Sequence, residues 1–172
     1  PASARPALLD VTSLRHIFKD PYAIYARYVL GLRELDPFDK LPDAASFGSL
    51  IHKLIEQMLK NNHALEDEVW LSREVAHLES DARLYALWLP RIRNILRFVA
   101  ALHKARGEPT LEMEITREVA IGPVTLKGKP DRVEKRETSY SIHDYKTGGI
   151  PKKSEMNTGL EPQLVAYALM LS

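Results

Sequence analysis

The chain has 172 residues, a net charge of +1 and no cysteine, with 45% hydrophobic and 27% charged residues. That is the size and balance of one ordinary globular domain with its own core. Without cysteine the chain holds no disulfide, no thiolate zinc site and no cysteine-ligated iron–sulfur cluster. No apolar run reaches the roughly 18 residues that cross a bilayer, and no basic-then-apolar leader opens it. These features point to a cytoplasmic protein. The chain opens on Pro1 and stops inside a helical pattern at Ala168–Ser172, which reads as a piece cut from a longer protein.

In chain order, residues 1–9 carry little pattern and are expected to be loosely held. Asp10-Val11-Thr12-Ser13 reads as a short extended segment entering a helix cap. A helix follows from Ser13, broken or restarted at Pro21 and ending near Gly31. Residues 34–44, rich in proline and acids, read as loop. A helix from Ala45 or Ser46 to Lys60 is expected, because Leu50, Ile51, Leu54, Ile55 and Met58 recur at helical spacing. Residues 65–106 look helical throughout, as a shorter helix over 65–79 and a longer one over 81–106 with a kink or restart at Pro90. Gly107-Glu108-Pro109 is a stop signal.

From Thr110 the period becomes alternating. Strands are expected over 111–115 and 119–121, then over 124–135 after the Gly122-Pro123 turn, then over 139–146. Residues 148–158 read as a long mobile loop. A last helix runs from about Leu160 or Pro162 to the end, with proline tolerated in its first turn.

The chemistry gathers on two of those strands. Asp131 and Asp144 lie either side of a turn-rich connection. Lys146, two residues beyond Asp144, leaves an extended strand on the same face. Two carboxylates and an ammonium on one small surface suit a hard divalent cation and a phosphate ester. Between Lys127 and Lys153 eight basic residues face four acids, a local excess that attracts a polyanion.

Pro130-Asp131, twelve intervening residues and Asp144-Tyr145-Lys146 resemble the PD-(D/E)xK nuclease signature. Gly48-Ser49-Leu50-Ile51-His52 upstream, the Asp144–Gly148 block and Gln163-Leu164-Val165-Ala166-Tyr167-Ala168 downstream narrow the resemblance to RecB-like nucleases. The Tyr22–Tyr28 region is similar to the nuclease domain of AddB-type subunits of helicase–nuclease complexes.

This resemblance implies an α/β, restriction-endonuclease-like fold: a small mixed sheet flanked by helices, with 65–106 as a helical insertion or subdomain placed to line a DNA channel. Residues 1–172 would form a single nuclease domain. It also implies a metal-dependent deoxyribonuclease, an exonuclease acting on single-stranded ends in double-strand-break repair beside a helicase-nuclease partner subunit. Mg²⁺ or Mn²⁺ would be held by His52, Asp131, Asp144 and the Tyr145 carbonyl. Lys146 would position water and stabilise charge, because its free pKa of about 10.4 makes it a poor base. Gln163 would stand near Lys146 or the phosphate, and Tyr167 beside the backbone or Lys146.

Other residues carry weaker signals. Glu56, one turn after His52, serves the site or the helix. Gly48 lets its helix approach closely. Glu112 and Glu114 read as a solvated strand face, with the alternative that one of them adds a carboxylate to the site. His16, His63, His77, His103 and His143 lack partners at metal-binding spacing, and His143 points to the sheet face opposite Asp144. Gly122–Lys129 is no Walker A loop, since five residues separate the glycines and a proline follows the lysine. Asp20 stands where iron–sulfur relatives carry cysteine, so Tyr22, Tyr25 and Tyr28 would hold the N-terminal helix by packing. Two alternatives stay open: a stand-alone RecB-like exonuclease, and a non-catalytic nucleic-acid or subunit-binding module of the same fold.

Overall fold

A computed structural model describes residues 5–33, 35, 43–61, 67–78, 80–107 and 109–172. Most of the acidic segment 34–44, the expected helix start at Leu65 and His63 lie outside them.

One half is helical. Helix α3 (Ala44–Lys60) starts at Asp43, whose carboxylate accepts the Ser46 amide at 2.8 Å; such a cap answers an otherwise orphaned N–H. The α4 helix (Glu68–Val75) and α5 helix (Ala82–Ala105) begin the same way, at Asp67 and Asp81. Phe47, Leu50, Ile51, Leu54, Ile55 and Met58 of α3 meet Trp88, Ile92, Leu96 and Val99 of α5 in the main core. Those α5 positions step by four or three residues, one helical stripe. Complete burial of a side chain such as Leu54 or Ile92 stabilises by about 1.5–3 kcal/mol. Helix α5 runs through Pro90 as a single element, where the sequence suggested a kink or restart.

The other half is β. Strands β1 (Leu8–Asp10), β2 (Thr110–Met113), β3 (Arg117–Ile121), β4 (Val124–Gly128), β5 (Arg132–Lys135) and β6 (Tyr140–His143) form two three-stranded sheets, ordered β1-β4-β3 and β2-β5-β6. Only β1 and β4 are parallel; the other pairs are antiparallel. The fold is a mixed α/β arrangement of the restriction-endonuclease-like kind, with small sheets flanked by helices.

The single strand expected over 124–135 is thus two strands in separate sheets. The register explains why it looked like one. Ile121 pairs with Val124 and Arg117 with Gly128; Met113 pairs with Arg132 and Thr110 with Lys135. All four pairs fall on one continuous register. The break lies at 114–116 opposite 129–131. Glu114 adopts φ +55°, in the left-handed region, and Pro130 has no N–H to donate. The Glu114 amide still reaches the Asp131 carbonyl at 3.3 Å. A long hairpin is bent at the residues that carry the chemistry.

Residues 8–11 are tied into the fold, where the sequence suggested a loosely held segment up to residue 9. Leu8 and Leu9 pair with Thr125 and Leu126, and Leu9 is buried with Val11, Leu126, Ala166 and Tyr167 in a second core. Val11–Ser13 is a 3₁₀ turn leading into α1 (Leu14–Lys19) and α2 (Pro21–Ile24), and Tyr25–Val29 continues as π-helix. Asp20 caps α2 by accepting the Ala23 amide at 3.2 Å. Tyr28 ties this segment down: its hydroxyl meets Ser13 Oγ at 2.8 Å, accepts the Asp10 amide at 3.1 Å and donates to Asp10 Oδ2 at 2.8 Å. Tyr22 and Tyr25 are exposed and do not share that packing role. The expected loop 148–158 contains α6 (Lys153–Asn157), and the last helix is α7 (Gln163–Leu169).

Candidate active site

The bend in the hairpin, the end of β6, the middle of α3 and the start of α7 meet at one place. Asp131 lies just before β5 and is buried. Its Oδ1 is 3.1 Å from His52 Nδ1, and its Oδ2 accepts the Tyr145 amide at 2.6 Å. His52 Nε2 lies 2.9 Å from the Tyr145 carbonyl oxygen. Both ring nitrogens therefore face acceptors, an arrangement fully satisfied by the imidazolium. The hydrogen bond to Asp131 accordingly holds the His52 pKa above its ordinary value, against the opposing effect of burial.

The strand expected over 139–146 is β6 and ends at His143; Asp144 and Lys146 lie just beyond it, and Lys146 Nζ is 2.5 Å from Asp144 Oδ2. Gln163, at the start of α7, spans the pair: its Nε2 donates to Asp144 Oδ1 at 2.8 Å and its Oε1 accepts from Lys146 Nζ at 3.1 Å. The same Nε2 is 3.3 Å from the Tyr167 hydroxyl, which donates to the Lys129 carbonyl at 3.3 Å. Burial pushes the Asp144 carboxyl up and the charge of Asp131 adds to it, while Lys146 opposes. Two carboxylates held near each other and short of water favour an added cation.

Close approach of the layers is built in. A Cβ on Gly48 would lie 3.0 Å from Thr147 Oγ1, so the small residue lets α3 sit against the segment after Lys146. A Cβ on Gly128 would lie 2.7 Å from Tyr167 Cε1 and 2.9 Å from Val11 Cγ2. That glycine seats α7 on β4.

Of the two glutamates on β2's expected face, one joins the site. Glu114, expected on a solvated strand face, stands past the end of β2, where the bend turns it inward. It pairs with Lys129 at 2.7 Å, and this hydrogen bond raises the Lys129 pKa. One ligand atom from each of His52, Glu114 and Asp131 lies within 4.8 Å of the others. Glu112 instead forms an ion pair with Arg117. Glu56 pairs with Lys60 at 2.6 Å along its own helix.

His103 and His143 do have partners among the described residues: His143 Nε2 is 3.1 Å from Glu134 Oε1, and His103 Nδ1 is 3.1 Å from Arg132 Nη2. His143 and the next residue, Asp144, meet different partners, Glu134 for the first and Lys146 and Gln163 for the second.

Comparison with known families matches residues 11–172 to the PD-(D/E)XK nuclease superfamily, and the chain belongs to it. An uncharacterized protein of Rickettsia conorii is 30% identical over 96% of this chain. An ATP-dependent helicase/deoxyribonuclease subunit of Streptococcus mutans is 26% identical over 95% of it, and its namesake in Streptococcus equi subsp. zooepidemicus 25% over 98%. The chain spans 22%, 16% and 17% of these three relatives' lengths. The nitrogen-plus-carboxylate donors of His52, Glu114 and Asp131 fit the divalent metals such nucleases use. No helix among the described residues is long and apolar enough to cross a membrane.

Proposed function

We propose that this domain hydrolyses DNA phosphodiester bonds with Mg²⁺ or Mn²⁺. It does so as the exonuclease of a cytoplasmic helicase–nuclease that processes broken ends, with the motor and a partner subunit elsewhere. The convergence of His52, Asp131, the Tyr145 carbonyl, Asp144 and Lys146 from distant segments carries this reading. Three acids, two lysines and a histidine from separate segments gather there in three pairs, and one oxygen or nitrogen from each of His52, Glu114 and Asp131 stands close enough to share a cation. The similarity to helicase/deoxyribonuclease subunits supports the biological setting.

His52, Asp131, Asp144 and the Tyr145 carbonyl, joined by Glu114, would hold the cation. When bound, it supplies Lewis acidity and neutralises charge on the phosphate. Lys146 keeps its proton and offers an ammonium to the negative charge that builds on phosphorus during attack. Asp144 and Gln163 fix the direction of that ammonium from two sides. Tyr167 holds Gln163, and the Tyr145 amide holds Asp131, so each acting group is oriented by a second one. Glu114 keeps Lys129 at the rim, where its charge draws the strand inward.

The test uses the complete protein, linear single-stranded DNA, and Mg²⁺, Mn²⁺ or EDTA. Cleavage is expected with either metal, none in EDTA, and none with Asp131→Asn. Equal behaviour with metal and with EDTA would leave a DNA-binding module in place of an enzyme.

A further inference from the structure

Each acid of the site faces a group able to carry positive charge. His52 Nδ1 stands 3.1 Å from Asp131 Oδ1, Lys129 Nζ 2.7 Å from Glu114 Oε2 and Lys146 Nζ 2.5 Å from Asp144 Oδ2. The side chains alone thus balance the three carboxylates. A dication entering such a site is repelled by every cation that stays beside it. The repulsion falls if one of the three gives up its acid.

The three are not equally held. His52 Nε2 is also fixed 2.9 Å from the Tyr145 carbonyl oxygen, and Lys146 Nζ also donates to Gln163 Oε1 at 3.1 Å. Lys129 Nζ has Glu114 as its one hydrogen-bonding partner among the described residues. Its side chain is 52% exposed, so water can replace the carboxylate at small cost. It also lines a hollow of about 250 Å³ with Thr12, Thr116 and Lys127, which gives its flexible four-carbon stem room to turn. The acid is the fixed member of the pair. The Glu114 side chain is 15% exposed, its backbone sits at φ +55° and its amide donates to the Asp131 carbonyl. The bend therefore keeps a Glu114 oxygen within 4.8 Å of the donor atoms of His52 and Asp131, while the lysine is free to leave.

We infer that Lys129 is an exchangeable counter-ion: its ammonium occupies the Glu114 ligand position and gives that carboxylate up when a divalent cation binds with His52 and Asp131. Lys129 is then a positioning residue that sets the affinity of the cation through Glu114. The inference rests on the nuclease reading for its cation, and it adds a residue outside the Pro130-Asp131 and Asp144-Tyr145-Lys146 signature. A lysine that only clamps the bend would act the other way. Its loss would loosen Glu114 and weaken cation binding, whereas loss of a competitor strengthens it.

The complete protein is titrated with Mn²⁺ in the absence of DNA, and free Mn²⁺ is counted by its electron paramagnetic resonance signal. Lys129→Gln, at a half-exposed position, should tighten Mn²⁺ binding about fivefold, the scale of one exposed ion pair. Glu114→Gln should weaken it about tenfold. The double variant should bind no more tightly than Glu114→Gln alone, because the lysine acts only through that carboxylate. Unchanged or weaker binding in Lys129→Gln overturns the exchange, as does unchanged binding in Glu114→Gln. The same fivefold gain in the Glu114→Gln background also overturns it, since the lysine would then act as a distant charge. The nuclease reading fails separately. A protein that never cuts but shows this cycle keeps the exchange and loses the enzyme; one that cuts without it loses only the exchange.

Discussion

The β5–β6 pair carries charge on both faces, and the two faces handle it in opposite ways. Towards α5, Arg132 and Glu134 have no solvent exposure at all. Arg132 Nη2 donates to Glu134 Oε1 at 2.6 Å, and Arg106 Nε donates to Oε2 at 2.6 Å. His143 lies 3.1 Å from Glu134, and Arg106 also donates to Ser141 Oγ at 3.1 Å. Basic groups surround one carboxylate until it is fully answered. Asp131 and Asp144 are the sequence neighbours of Arg132 and His143, yet they turn the other way. There, three acids meet His52, Lys129 and Lys146, with Lys146 36% exposed. Closed, satisfied charge specifies structure; open and concentrated charge is available for chemistry. Tyr145 touches both regions, its hydroxyl 3.4 Å from Arg132 Nη1 and its backbone bonded to Asp131 and His52.

The contrast can be broken at several points. On the closed face, Arg132→Met strands Glu134 without its nearest buried partner and should cost about 3–5 kcal/mol, read by urea unfolding of the complete protein. A loss within about 0.5 kcal/mol would mean the network is not the structural element described. On the open face, Lys146→Ala should reverse the pattern: a fall of about 10²–10³ in single-turnover cleavage, as for loss of one charge-stabilising donor, with a nearly unchanged unfolding midpoint. Rapid cleavage by that variant would remove Lys146 from the mechanism.

Gly128→Ala sharpens the comparison from below, because the added methyl meets Tyr167 and Val11 under the open face. It should cost about 1–3 kcal/mol by overpacking and weaken cleavage through the displaced Tyr167–Gln163 contact. Wild-type stability and rate would show that α7 shifts freely.

The smallest effect is in pH. Burial alone would raise the Glu134 carboxyl, but the Arg106 hydrogen bond and the charges of Arg132, His143 and Arg106 outweigh it, holding the group below its ordinary value of 4.5. Arg136 also faces it at 3.9 Å. A carboxyl depressed in the fold contributes stability above its unfolded value, lost as pH falls through the lower folded value. His143, pushed below 6.5 chiefly by burial, adds in the same direction from a higher pH. Against wild type, Glu134→Gln should therefore lose less of its denaturation midpoint on acidification below 4.5; the comparison cancels His52 and Asp144, whose raised values favour the fold at low pH.

Much of this was legible from residues alone. Helix α3 follows from apolar positions at helical spacing; the two-residue spacing put Asp144 and Lys146 together, although both lie past the end of β6. Gln163 and Tyr167 share a face because they are four apart on a helix. Glu114 was not told apart from Glu112 as the one that could join the site, although a signal existed: counting both arms back from the Gly122-Pro123 turn sets Glu114 opposite Asp131. Alternation alone placed it with Glu112, since a period-two pattern does not reveal a left-handed residue that ends the strand. The short α6 was hidden among loop-forming residues. The partners of His103 and His143 were invisible because they lie 29 positions away at Arg132 and nine positions away at Glu134, in other elements.

Composition and local spacing determined which groups could act together within one strand or one helix, because backbone periodicity is fixed by covalent geometry. Tertiary structure alone decided which separate segments meet. The bend at Glu114 and Pro130 turns one hairpin into two sheets, and the packing of α3 and α7 closes His52 and Gln163 onto its ends. Those approaches depend on side-chain volumes summed across the core, which no local pattern encodes.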